Sequence, residues 1–343
     1  MTHKGVAAAL AAAMLFGAST PLAKALLGAL DPWLLAGSLY LGSGLGLAAL
    51  RLLTPGSGVR LARTDVPWLA GAILAGGIVA PVLLMIGLVG SSAGTASLLL
   101  NAEAVFTALL AWIVFRENAD RRIVAGMAAI VAGAVVLSWP GTQAPVEASG
   151  PALAILAACL CWGIDNNLTR KVSLADPLTI AAIKGLAAGS VNVLLALAAG
   201  ATVPGAGPLA LAAGLGFVGY GLSLAAFVVA LRELGTARTG AYFSTAPFIG
   251  ALVAVLWFSE PLTLRLLAAG LLMGLGVWLH LTERHEHPHR HEAIEHDHLH
   301  THDEHHHHHD GAETEEPHAH PHRHLPLLHS HPHYPDAHHR HDH

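Results

Sequence analysis

VPWLAGAILAGGIVAPVLLMIGLV, residues 66–89, runs for 24 positions without a charged side chain. The hydrocarbon core of a bilayer is about 30 Å thick and takes roughly 20 apolar residues in helix to cross. The stretch therefore reads as a membrane-spanning helix. Nine more stretches of this kind flank it, separated by short polar or Pro/Gly-marked breaks, so that spans are expected at 5–27, 32–50, 66–89, 93–115, 122–139, 151–169, 177–199, 207–231, 236–258 and 263–282. The first resembles a secretory leader, since Lys4 precedes a small-residue run ending in Gly17-Ala18-Ser19-Thr20. Its apolar pattern continues past Pro21 to Leu30, which favours a retained span.

Lys and Arg accumulate in the loops that remain in the cytoplasm. With ten spans and the amino terminus inside, inner loops and adjoining helix ends collect Lys4, Arg51, Arg60, Arg63, Arg116, Arg121, Arg122, Arg170, Lys171, Arg232, Arg238 and Arg284, and outer loops only Arg265. One missed span would invert every later loop, so this asymmetry supports the count. The expectation is a multi-pass protein of the cell (inner) membrane with both termini cytoplasmic.

Composition divides the chain at residue 284. Hydrophobic residues make up 53% of the whole and charged residues 12%, against about 25% charged in soluble domains, which excludes a typical cytosolic enzyme. Residues 1–284 carry a net charge of +4, residues 285–343 carry −9, and 24 of the 26 histidines lie in the second part. That tail has almost no Val, Ile or Phe and cannot build a core, so it reads as disordered. Cys159 and Cys161, the only cysteines, point to different sides of a helix and offer neither a disulfide framework nor a thiolate zinc site.

The body is internally repeated, residues 1–140 aligning with 151–284 at an offset near 145. Phe16-Gly17 followed by Lys24 matches Trp162-Gly163 followed by Arg170, and Asp31-Pro32 matches Asp176-Pro177. Trp112 to Glu117 matches Val255 to Glu260. Five spans per half is an odd number, so the halves must be inverted relative to one another, an architecture of secondary transporters that hold substrate near the midplane. With these motifs the chain resembles the EamA family of the drug/metabolite transporter superfamily. The resemblance implies an all-α membrane protein of ten helices in two inverted five-helix repeats. It also implies a carrier of small organic solutes working by proton coupling or exchange without ATP. The second half carries Pro247 in its fourth helix, while the first half has Ala104 at the matching place beside Glu103. Small-xxx-small pairs, Gly42/Gly46, Gly90/Gly94, Gly185/Gly189 and Gly270/Gly274, suit close helix contacts. No phosphate loop, catalytic triad or metalloprotease motif is present, so no ATPase or hydrolase activity is expected.

Polar side chains inside the spans are the candidate substrate-binding residues, because a charge at the centre of a membrane helix costs a few kcal/mol. Glu103, two residues after Asn101, lies near the middle of its span and should be protonated or hydrogen-bonded. It reads either as a proton-coupling or cation site or as a neutral carboxyl satisfied by the next helix. Asp165-Asn166-Asn167, after Trp162, covers about 200° of helix face, too wide an arc for lipid. Asp165 and Lys184 sit at comparable depths, so an ion pair is expected, serving either a pocket or only the locking of two helices. Lys24 should lie near the outer interface and snorkel to water. Glu117 and Glu260, at helix ends, read as structural or gating groups. Trp33, Trp68, Trp139, Trp257 and Trp278 fit an interfacial aromatic belt.

In the tail, the candidate metal ligands are His285, His287, His289, His291, His296, His298, His300 and His302, interspersed with Asp, Glu and Pro, and then the uninterrupted run His305, His306, His307, His308 and His309. Imidazole is a good ligand for Zn, Ni, Co and Cu, so metal binding is expected there, either as a buffer or sensor or as an incidental property of a solvated extension. Two functions follow: a secondary transporter of a small organic solute with a metal-binding tail, or a transporter of a divalent metal or its chelate fed by that tail. The first is preferred, because the spans carry no His or Cys pair suited to a soft metal. No resident cofactor or nucleic-acid partner is expected. The bilayer, a small solute and protons as coupling ion are, and a homodimer is left open.

Overall fold

The computed structural model describes residues 3–53, 61–114, 121–138, 150–173 and 175–282, and the backbone of 286–291, 295–300, 318–323 and 327–332. Glu117 and the expected metal ligands His285, His302, His305, His306, His307, His308 and His309 lie outside the described residues. The body is helical: α1 (His3–Leu26), α2 (Pro32–Leu53), α3 (Arg63–Val89), α4 (Ala93–Ile113), α5 (Arg121–Ser138), α6 (Gly150–Val172), α7 (Pro177–Ala198), α8 (Ala206–Leu234), α9 (Thr239–Trp257) and α10 (Leu264–Leu281). Among the described residues nine of these are long and apolar enough to cross a membrane, and α5, with 18 residues, is the other. Between α8 and α9 the chain must turn back, because the rings of Phe227 and Phe243 stand 4.9 Å apart, whereas sixteen residues of straight helix would separate them by about 24 Å.

Helix packing repeats across the two halves. α2 lies along α7, α5 along α10 and α4 against α9, each pair joining equivalent positions. Other extensive contacts come as images, α2 on α8 answering α7 on α3, α1 on α8 answering α6 on α3, and α1 on α9 answering α6 on α4. Close approach depends on small residues. A Cβ on Gly44 would strike the backbone at Gly185 and Leu186, and one on Gly42 the backbone of Ala213. Gly270 and Gly274 differ from the sequence expectation. A Cβ on either would meet only ordinary contacts, at 3.7 and 3.9 Å, so that pair makes no close crossing.

Each half also departs from regular helix at the same two places. α3 widens into π-helical turns at Ile73–Val79, and α8 does so at Gly216–Leu222. α4 is interrupted at Leu100-Asn101 and α9 at Ser244-Thr245. Aligning the interruptions sets Pro247 against Glu103, one residue from the Ala104 match read off the sequence. Interrupted and widened helices leave backbone groups without in-helix partners, which is tolerated at membrane depth only inside protein or beside a cavity.

At the end of the bundle away from the amino terminus, Glu260 caps α4, accepting hydrogen bonds from the backbone N–H of Ala93 (2.7 Å) and Gly94 (2.8 Å). A carboxylate suits a helix amino terminus, and a cation suits a carboxy terminus. Lys24 supplies the latter. Partly exposed at this end, as expected for an interfacial lysine, its ammonium donates to the carbonyls of Leu88, at 2.8 Å, and Ser91, where α3 ends. At the opposite end Asp176 caps α7 through Thr179 N–H (3.2 Å) and meets Arg51 at 3.0 Å. Burial alone would raise the Asp176 carboxyl, but the Thr179 hydroxyl and N–H and the Arg51 guanidinium hold it below its ordinary value.

In the tail, whose composition supplies no core, the described backbone forms two short antiparallel ladders. β1 (Glu286–His291) pairs with β4 (Leu327–Pro332), and β2 (Glu295–His300) pairs with β3 (His318–Arg323). The register sets His296 opposite His322, His298 opposite His320 and His300 opposite His318. These ladders rest on main-chain hydrogen bonds.

Candidate functional site

A cavity of about 580 Å³ opens where the two halves meet, lined from α1 (Phe16), α2 (Tyr40, Ser43), α4 (Glu103), α6 (Trp162, Asp165, Asn166), α7 (Lys184, Gly185), α8 (Tyr220, Ser223, Leu224, Phe227) and α9 (Phe243). A second cavity of about 340 Å³ shares Phe16, Glu103, Asn166, Phe227 and Phe243 with it and reaches the α9 interruption at Ser244, Ala246 and Pro247.

Two glycines position the aromatic wall. A Cβ on Gly17 would collide with the carbonyl of Ala246, just past the α9 interruption, and one on Gly163 would press on Phe106 and the Thr107 N–H in α4. Each glycine thus lets its helix lie directly on the interrupted helix, α1 on α9 and α6 on α4. The residue before it, Phe16 or Trp162, is thereby presented to the cavity. The rings of Phe16 and Trp162 meet edge-on at 5.8 Å, and Phe16 also contacts Tyr220 and Phe243, both at 5.5 Å.

The widened turn of α3 contributes an acceptor. The Gly76 carbonyl receives hydrogen bonds from the Tyr40 hydroxyl (2.9 Å) and the Trp162 indole N–H (3.0 Å). Asn192, from α7, donates to the Gly77 carbonyl at 3.1 Å. Gly76 is required here for a further reason, since Asp165 packs where its Cβ would stand.

Two polar groups face the chamber. In the first, Lys184, 1% exposed, donates to Asp165 at 2.5 Å and to the Thr169 hydroxyl at 3.0 Å, and that hydroxyl donates to the same Asp165 oxygen at 2.8 Å. The pair expected from helix depth is present, with the Thr169 hydroxyl bonded to both partners. In the second, Asn166 donates to Glu103 Oε1 at 2.8 Å and to the Thr107 hydroxyl at 3.1 Å. Among the described residues no Lys or Arg lies within ion-pair distance of Glu103.

Of the sequence candidates, Glu103, Trp162, Asp165, Asn166 and Lys184 therefore converge on one cavity. Asn101 and Asn167 do not line it. Asn101 donates to the Leu98 carbonyl (3.1 Å) and faces Met273 of α10 at 3.7 Å, while Asn167 donates to the carbonyls of Thr107 and Gly163, bracing α6 on α4. Phe16, Tyr40, Ser43, Tyr220, Phe227, Phe243, Thr169 and Asn192 are additions from the structure. Only the aromatic-Gly repeat signalled one of them, Phe16, in advance. No group of three His, Cys, Asp or Glu side chains gathers among the described residues. The run His305, His306, His307, His308 and His309 falls outside them, so its expected part in metal binding is carried forward as a proposal.

The EamA-like transporter family matches the chain twice, over residues 3–139 and 150–282. The chain is 29% identical over 294 residues, 80% of its own length and 85% of the other, to a protein of Methanothermobacter thermautotrophicus named an uncharacterized transporter. It is 31% identical over 216 residues, 62% and 72% of the two lengths, to a probable terminal-alkyne amino-acid exporter of Streptantibioticus cattleyicolor. A shorter match of 34% over 88 residues, 26% and 29% of the two lengths, joins it to a probable amino-acid metabolite efflux pump of Salmonella typhimurium. One solved crystal structure superposes with a TM-score of 0.63 over 80% of this chain and 95% of its own at 19% identity, a likeness of fold alone.

Proposed function

The chain belongs to the EamA-like transporter family, and from that premise we propose that it is a secondary transporter that exports a small amino-acid-like organic solute. Its chamber opens alternately to the two sides as the inverted halves move against each other. The observation that carries this reading is the cavity at the junction of the halves. It combines an aromatic wall, a neutralised Asp165–Lys184 pair and the Glu103 carboxyl beside the interrupted α4. Interrupted helices with a site near mid-membrane belong to alternating-access architecture. The names of the Streptantibioticus and Salmonella relatives support an amino-acid-like cargo and the outward direction. Glu103 is the coupling group in this reading, taking up a proton on one side and releasing it on the other.

Both termini are cytoplasmic in this reading, which the basic residues of the loops support. The direct test is counterflow in proteoliposomes. Vesicles loaded with unlabelled phenylalanine should accumulate labelled phenylalanine transiently when they contain the protein, and an imposed proton gradient should then drive net movement. Vesicles that show neither with any amino acid or amino-acid amide would remove the reading.

The tail is a metal-binding appendage in this proposal, its His and acidic residues holding Zn, Ni, Co or Cu beside the transporter without forming part of the path. Removal of residues 285–343 is expected to leave transport unchanged in chelator-treated buffer and to abolish any effect of added zinc. Loss of transport in the truncated protein under chelated conditions would make the tail part of the transport machinery instead.

A further inference from the structure

We propose that the chamber recognises its solute by an ammonium group, held between the Glu103 carboxylate and the rings of Phe16, Trp162 and Phe243. This deepens the transport reading, whose site it takes as given, and it rests on the chamber's charges. Three carboxylate or ammonium side chains line the cavity, and two of them, Asp165 and Lys184, form an ion pair with each other that Thr169 joins. Glu103 is the remainder. Its Oε1 accepts one hydrogen bond from Asn166, and no described cation lies within ion-pair reach. The Glu103 side chain borders both cavities.

A carboxylate so placed attracts a cation, and the wall around it strengthens that choice. Phe16 and Phe243 border both cavities, as Glu103 does, and Trp162 borders the larger one. The faces of aromatic rings attract cations within about 6 Å of their centres, Trp most strongly. A carboxylate of the solute finds no comparable partner, because the Lys184 ammonium is already committed to Asp165 and Thr169. The cargo class that follows is a compact amphipathic amine, with an ammonium at one end and an apolar or aromatic body at the other. An amino acid qualifies through its amino group.

Full-length protein in lipid nanodiscs, kept with a chelator so that the tail holds no metal, can be titrated with three related probes. Phenylalaninamide has the ammonium alone, phenylalanine has both charges, and N-acetylphenylalanine has only the carboxylate. A charge-assisted hydrogen bond corresponds to roughly tenfold to a hundredfold in affinity. Phenylalaninamide should therefore bind at least as tightly as phenylalanine, with N-acetylphenylalanine weaker than either by about that factor. N-acetylphenylalanine binding as well as phenylalaninamide would overturn the proposal, and this comparison needs no variant. Glu103→Gln should weaken phenylalaninamide by a similar factor in protein that elutes as wild type does, and unaltered binding would equally overturn it. Binding of the amide without counterflow of any amine would leave the recognition site standing and remove the transport reading. Counterflow of N-acetylphenylalanine with no preference for amines would do the reverse.

Discussion

Lys184→Met is expected to be the most damaging single substitution in the molecule, preventing stable accumulation of the protein in the membrane. Removing one partner of a buried ion pair leaves the other charge uncompensated, at a cost of about 3–5 kcal/mol. The total stability of a folded domain is only about 5–15 kcal/mol. Asp165 is 6% exposed and would keep just the Thr169 hydroxyl as a donor among its contacts. The double variant Asp165→Asn with Lys184→Met should recover much of the loss, since neither charge is then buried alone. Thermal unfolding followed by size exclusion in detergent measures both. A single variant as stable as wild type would show that the pair is not the lock between α6 and α7.

The second large effect concerns work rather than stability. Glu103→Gln keeps the side chain's shape and the hydrogen bond from Asn166 but removes the one chamber carboxylate without a described cationic neighbour. Accumulation driven by a proton gradient should fall to the level of protein-free vesicles. Exchange of solute at saturating concentration should survive, with weakened apparent affinity. Stability should change little, because a neutral amide is less costly than a carboxylate at that depth. Gradient-driven accumulation that persists in this variant would remove Glu103 as the coupling group.

Much of the architecture is legible in the sequence because the bilayer imposes a length and a polarity on every span. The spans read from residues 66–89 and their neighbours lie within a few residues of the helices observed. The Asp165–Lys184 pair was legible for the same reason, as depth along a membrane helix can be counted from its ends. The aromatic wall was not. Phe227, Phe243 and Tyr220 suit lipid and cavity equally well, so hydropathy cannot separate them. The π-helical turns at Gly76 and Gly219 were hidden too, because glycine is common throughout the body and a widened turn shows itself only in where its carbonyls point. Asn101 illustrates the converse. It is polar and deeply placed, and so attracted a binding role, yet its side chain answers to Leu98 and Met273.

The adjacency of ring and glycine at Phe16-Gly17 and Trp162-Gly163 separates two kinds of inheritance. The glycine governs how the helices cross, and its replacement would shift backbone. The ring beside it governs the shape of the space, and its exchange for a smaller or more polar side chain would recut the chamber while the crossing stayed as it was. Descendants of one such scaffold can therefore diverge in cargo by altering single letters next to invariant geometry. A shared bundle then predicts a shared way of moving and leaves the identity of the passenger to a few side chains.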